Sequence, residues 1–384
     1  MRKVLGVGAG VAAVLTVTLI LGACGSGSSS VGGCGSDCPP PAKLDYLYAA
    51  EVGTVQSFSI NTQTGALSPT GSAPGPTQGS AGMVADPAGK FLFVSDLFGD
   101  AIDVFALGSG GSLSFVNAFA CPSACEGNSS STMHGLAINP QGTFLYSTQV
   151  TTFNGCCEAN VVVWSVDSAT GNLGALNGYN FAGFYSTQIA IDPTGSLLYT
   201  ADTESDDGNI YAFTMDPNNG TLNGAGMFST PGSAPVPIGL AIDPTGTYLY
   251  VAANVAGTVQ AFTIDPASGA LTLIPGQIAT GGQPVLLAMD PAGNFLFAGN
   301  QTGGVAAFTI DSNSGVLSQV AGSPFGTSSP AWGLGLDGQY LYAADGKSSV
   351  VGYSVDVTTG ALTALGQTVP AGQGPFPLTV VKTQ

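Results

Sequence analysis

The stretch STMHGLAINPQG (131–142) carries the only histidine in 384 residues. An imidazole takes up and returns protons near neutrality, so His134 is a candidate general base or proton shuttle; the alternative is a structural or solvated ring at the start of a strand. A carboxylate beside it would orient the ring and raise its pKa. Glu204, in TADTESDDGN (200–209), is the candidate partner. A second constellation, Asp96, Asp202 and Asp345, offers carboxylate oxygens of the kind that hold a hard cation such as Ca²⁺. The reading set against it is turn capping by Asp. Apart from that ion no cofactor is called for.

These residues are far apart in the chain, and a repeat brings them together. An apolar strand, Asp-Pro-x-Gly and an apolar-aromatic strand recur in MVADPAGKFLFVSD (83–96), LAINPQGTFLYSTQ (136–149), IAIDPTGSLLYTAD (189–202), LAIDPTGTYLYVAAN (240–254) and LAMDPAGNFLFAGN (286–300), with a shortened copy, LGLDGQYLYAAD (334–345). Asp accepts backbone N–H bonds, Pro sets φ and Gly takes the exit conformation, so each copy predicts a hairpin. A second hairpin follows each first one, as in VQAFTIDPASGALTLI (259–274). Its turn glycines, Gly65, Gly111, Gly171, Gly220, Gly269, Gly315 and Gly360, are spaced by 46, 60, 49, 49, 46 and 45 residues.

Seven four-stranded units at this period predict an all-β fold, a seven-bladed β-propeller of antiparallel blades. DYLYAAE (45–51) reads as a second strand without a first, and PLTVVKT (377–383) as a first strand without a second, so their pairing would close the ring. Loops between blades, and between second and third strands, then share one face, the top, with the Asp-Pro-x-Gly turns at the other end. Three residues beyond the last aromatic of each second strand stand Glu51, Asp96, Gln149, Asp202, Ala253 (followed by Asn254), Asn300 and Asp345, which places them at the top. The long third unit adds residues in CPSACEGNSSST (121–132) and TTFNGCCEAN (151–160), both expected as top loops.

The N-terminus stands outside the fold. Met1-Arg2-Lys3, the apolar Val4–Ile20 and LGAC (21–24) read as a lipoprotein signal over residues 1–23, with Cys24 as the lipidated residue. Residues 24–42 form a flexible linker and 43–384 the propeller. The expected setting is a lipid anchor at the bacterial cell envelope, outside the cytoplasm, with the membrane surface as a partner and the propeller a monomer. Six further cysteines, Cys34, Cys38, Cys121, Cys125, Cys156 and Cys157, are disulfide candidates in an exported chain, with pairing across the two long loops or within each C-x3-C both open. The whole chain has 23 Asp and Glu against 6 Lys and Arg; loss of Arg2 and Lys3 with the signal leaves four lysines and a formal charge of −19. Such a surface excludes nucleic-acid binding and disfavours anionic ligands.

The DPxGxxLYxA repeat paired with VxxFxID…TGxL resembles the β-propeller lactonase family, which includes 6-phosphogluconolactonase and the fungal carboxy-muconate lactonizing enzyme. The resemblance spans 43–384 and implies a lactone hydrolase. His134 in MHGLAINPQGTFLYS matches the lactonizing enzyme's histidine, and Glu204 falls near the family glutamate. The family arginine falls near Thr187, and the mature chain has no arginine to replace it. Set against the resemblance, the missing arginine implies a neutral or cationic lactone as substrate, a neutral one being the expectation, with Thr187, Gln149 and Asp202 as candidate contacts. The alternative function is a non-catalytic surface propeller that binds an envelope polymer, a cation or a protein through its top loops.

Overall fold

The computed structural model describes residues 44–384 apart from 78, 121–129, 154–155, 182–185, 204–207, 233–235, 327–328, 375–376 and 383–384. Its strands form seven four-stranded antiparallel sheets, the blades of a β-propeller. Blade 1 is built from both ends of the chain: Leu378–Val381 pairs with Asp45–Glu51, which is followed by Thr54–Ile60 and Leu67–Pro74. The other six blades follow in chain order.

Each Asp-Pro-x-Gly turn is held as its residues dictate. In blade 4, Asp192 Oδ1 accepts the N–H groups of Ser196 at 2.7 Å and Leu197 at 2.6 Å, while Gly195 N–H donates to the Asp192 carbonyl at 2.9 Å. Gly195 leaves the turn at φ 74°, a conformation costly for other residues. Second strands such as Phe91–Asp96, Leu197–Asp202 and Tyr248–Ala253 are buried along their whole length, because neighbouring blades cover both faces. Outer strands such as Leu222–Ser229 are mostly exposed.

The core consists of seven apolar clusters, each shared by two successive blades; the last joins blade 7 to blade 1 through Tyr342, Val350, Leu47 and Phe58. A polar contact recurs at these interfaces. The hydroxyls of Tyr146, Tyr199, Tyr250 and Tyr342 donate to the carbonyls of Gly220, Gly269, Gly315 and Gly65 at 2.9–3.1 Å, each the turn glycine of the next blade. Gly315 shows why glycine stands there: its φ is 70°, and a Cβ would lie 2.5 Å from the Tyr248 ring.

Blade 3 differs from the sequence expectation. Residues 151–160 were expected as a loop, but Phe144–Phe153 and Cys156–Val166 pair to their ends, with Cys156 opposite Phe153 and Ala159 opposite Val150. Ser130–Thr132 joins as a third strand segment opposite Val150–Thr152. The β-branched and aromatic run VTTF favours continued strand over turn. Blade 3 therefore extends past the top ends of its neighbours' second strands.

Candidate functional site

His134 lies in the inner strand of blade 3, Ser130–Ile138. Met133 pairs with Gln149 and Leu136 with Ser147, so His134 and Gly135 together face the single residue Thr148. This is a β-bulge, a device that re-aims a side chain at a strand edge. Thr148 Oγ1 secures it by accepting Gly135 N–H at 2.8 Å. In blade 4, Ser186 pairs with Asp202 and Ile189 with Thr200, which gives the same irregularity at Thr187 and Gln188. Thr187 thus takes the backbone position in blade 4 that His134 takes in blade 3.

The bulge sits on the central channel. A cavity of about 150 Å³ is bounded by Gly82, Met83, Gly135, Leu136, Gln188 and Leu378, among others. Its walls are the inner edge strands of the blades, whose free edges present backbone N–H and C=O groups. The packing leaves no slack at His134: a Cβ at Gly82 of blade 2 would lie 2.5 Å from the His134 carbonyl oxygen and 2.8 Å from Leu136 N.

The half-buried imidazole has Nε2 3.0 Å from Thr132 Oγ1, two residues earlier and on the same side of the strand. Burial lowers the His134 pKa to about 4. That is opposite to the expectation of a carboxylate-raised pKa: desolvation penalises the imidazolium, and the ring is neutral at neutral pH. Glu204 lies outside the described residues.

Asp96 and Asp345, two of the three candidate carboxylates, have their oxygens hydrogen-bonded to nearby turn residues. Asp96 Oδ2 accepts the N–H and hydroxyl of Thr77 at 3.0 Å, and its Oδ1 accepts Gly99 N–H at 3.1 Å. Asp345 Oδ1 accepts the N–H groups of Lys347, Ser348 and Ser349 at 2.8–2.9 Å, and its Oδ2 accepts the Ser349 hydroxyl at 2.7 Å. Burial pushes the Asp345 pKa up, but these hydrogen bonds outweigh it and the net direction is down. Asp202 is buried and pairs through its backbone with Ser186. Among the described residues no three His, Cys, Asp or Glu side chains come together to hold a metal ion. Asp96 and Asp345 thus cap turns, as the alternative reading of these residues has it.

Gln149 is buried opposite Met133, and its Nε2 donates to Asp100 Oδ1 in blade 2 at 3.0 Å. It serves as an interblade tie. Asp103, also in blade 2, has its pKa raised to about 6 by burial and then by Asp96. Cys24, Cys34, Cys38, Cys121 and Cys125 lie outside the described residues; Cys156 and Cys157 are placed by backbone alone, at the end of the extended hairpin. Thr132 and Asp100 were missed in the sequence. The period-2 relation of Thr132 to His134 was a readable signal, whereas the Asp100 contact crosses blades.

The model of the family "Lactonase, 7-bladed beta-propeller" matches residues 42–152, 149–261 and 238–332. No curated protein sequence matches significantly. Among solved structures, a candidate 6-phosphogluconolactonase from Bacteroides fragilis is 21% identical with a TM-score of 0.71, covering 90% of this chain and 100% of its own. The periplasmic gluconolactonase of Pseudomonas aeruginosa is 17% identical with a TM-score of 0.72, covering 89% and 100%. At these identities the structural likeness carries the fold, while the family match extends over most of the chain. The chain belongs to the seven-bladed β-propeller lactonase family.

Proposed function

We propose that this protein hydrolyses a neutral lactone outside the cytoplasm, with His134 as general base. The observation that carries the reading is the half-buried His134 imidazole on a bulge whose other residue, Gly135, lines the channel cavity. His134 takes a proton from a water molecule whose oxygen adds to the lactone carbonyl carbon. Collapse of the tetrahedral intermediate breaks the ring C–O bond, and the imidazolium returns the proton to the leaving ring oxygen. The product is a hydroxy acid. Burial keeps the base deprotonated at neutral pH, and Thr132 fixes the ring. Glu204 is the proposed orienting carboxylate, and Thr187 a proposed substrate contact from blade 4.

The substrate carries no phosphate or carboxylate, because the mature chain has no arginine and four lysines against 23 acidic residues. No bidentate cationic clamp for phosphate or carboxylate can be built from such a set. Lipidation at Cys24 would tether the propeller to the cell envelope by a 19-residue linker (24–42).

The test is a screen of purified protein against neutral and phosphorylated lactones. Turnover of a neutral lactone, lost in His134→Ala, is expected; preference for a phosphorylated lactone would defeat the charge argument. A second reading, a non-catalytic binding propeller, draws on the weak basicity of an imidazole with a pKa near 4. It predicts no turnover of any lactone.

A further inference from the structure

Among the described residues the top face presents three exposed apolar turn tips: Val52 in blade 1, Phe98 in blade 2 and Val255 in blade 5, each following a second strand. Phe98 is the largest, 57% exposed, and its turn is fastened to the strand that bears His134. The Leu97 carbonyl accepts Met133 N–H at 3.1 Å, so one hydrogen bond separates the residue before Phe98 from the residue before His134. A second tie, Gln149 Nε2 to Asp100 Oδ1 at 3.0 Å, anchors the other side of the turn to the same blade. Two more bonds stiffen it: Leu97 N–H to the Gly79 carbonyl at 2.9 Å and Gly99 N–H to Asp96 Oδ1 at 3.1 Å. Asp100 closes it at φ 50°, a left-handed conformation that Asp tolerates.

An exposed aromatic on such a fixed turn is pre-organised, so contact with a ligand costs little ordering of the chain. Its chemistry complements the rest of the mouth. The channel edge offers backbone polar groups to a lactone ring, and the mature chain lacks the arginine that would hold an anionic substituent. What remains for the non-reacting part of the substrate is apolar contact.

We infer that Phe98 is a specificity-determining residue and that the substrate is a lactone carrying an apolar alkyl or aryl substituent, which lies against the Phe98 ring while the lactone ring faces His134. This rests on the lactone-hydrolase reading above and narrows its substrate class. Each methylene removed from water favours binding by up to about fourfold. A hexyl substituent that reaches the ring over a few methylenes should therefore raise kcat/KM by tenfold or more over the unsubstituted lactone.

The experiment compares a γ-lactone bearing a hexyl chain with unsubstituted γ-butyrolactone in wild type, Phe98→Ala and Phe98→Leu. The ratio of their kcat/KM values is expected to fall about tenfold in Phe98→Ala, through KM, and to recover largely in Phe98→Leu. A parallel calorimetric titration with the corresponding lactams, with and without the hexyl chain, reads binding without hydrolysis. An unchanged ratio in Phe98→Ala overturns the inference. Alkyl-dependent lactam binding that Phe98→Ala abolishes, in a protein that turns over no lactone, upholds the Phe98 contact and refutes hydrolysis. Lactam binding indifferent to the chain, without turnover of any lactone, refutes both.

Discussion

Replacing Tyr199 by Phe removes one atom from a blade interface and tests what joins the blades. The Tyr199 hydroxyl is buried and donates to the Gly269 carbonyl of the next blade at 3.0 Å. Phe93 and Phe297 occupy the equivalent place in blades 2 and 6, so the smaller ring fits this site without rearrangement. The loss is thus the hydrogen bond together with the desolvation of a buried carbonyl, about 1–2 kcal/mol. In a propeller of this size that lowers Tm by about 1–4 °C. Equilibrium urea unfolding, followed by far-UV circular dichroism and by tryptophan fluorescence, supplies the free energy. The reciprocal change, Phe297→Tyr, offers the Gly360 carbonyl of blade 7 the same donor and should stabilise by about 1 kcal/mol. Tyr199→Phe within about 0.3 kcal/mol of wild type, with no gain from Phe297→Tyr, would show that apolar packing alone holds the ring and that the tyrosines are incidental.

Other outcomes follow from the same contacts. Gly82→Ala places a methyl 2.5 Å from the His134 carbonyl and should cost about 1–3 kcal/mol in thermal unfolding, while moving the NMR signals of the only histidine. Asp103 has a folded pKa near 6, above its ordinary value, so the stability it contributes is full below about pH 4 and lost as pH rises through 6. Asp103→Asn should therefore stabilise by about 1–3 kcal/mol at pH 7.5 and by little at pH 4, read from Tm at the two pH values. His134 works in the opposite sense: its depressed pKa favours the native state above about 6.5, and that contribution is lost as pH falls towards 4. Its Cε1 proton should titrate near pH 4; a midpoint near 6.5 would mean the ring is solvated.

The propeller was legible because its signals are local and repeated. Asp192, Pro193 and Gly195 specify their turn within four residues, and DYLYAAE and PLTVV each lack the partner that the other supplies. Repetition also fixed which ends share a face, and so put His134 by the channel. What stayed hidden depends on neighbours from other blades. The His134 pKa falls through burial of the ring, and its bulge backbone packs against Gly82 of blade 2; nothing in MHGLAINPQG announces either. Turn capping by Asp96 and Asp345 was a readable alternative, since their partners Gly99 and Ser348 lie within three residues. The cysteine-bearing segment 151–160 read as loop from the extra length of the third unit, while the strand preference of VTTF carried the hairpin almost to its tip. Phe98 carries no motif; only its hydrogen-bonded turn ties the residue before it to the strand that bears His134.

The most direct test of the account is the pH dependence of kcat/KM for a neutral lactone, measured side by side in wild type and His134→Ala. Wild-type activity should rise as pH increases through about 4, where the imidazole loses its proton, and reach a plateau by neutrality. The variant should lose that inflection and about 10²- to 10⁴-fold of the rate. Equal plateau rates in the two proteins, or a wild-type profile that lacks the low-pH limb, would contradict the assignment of His134 as the base.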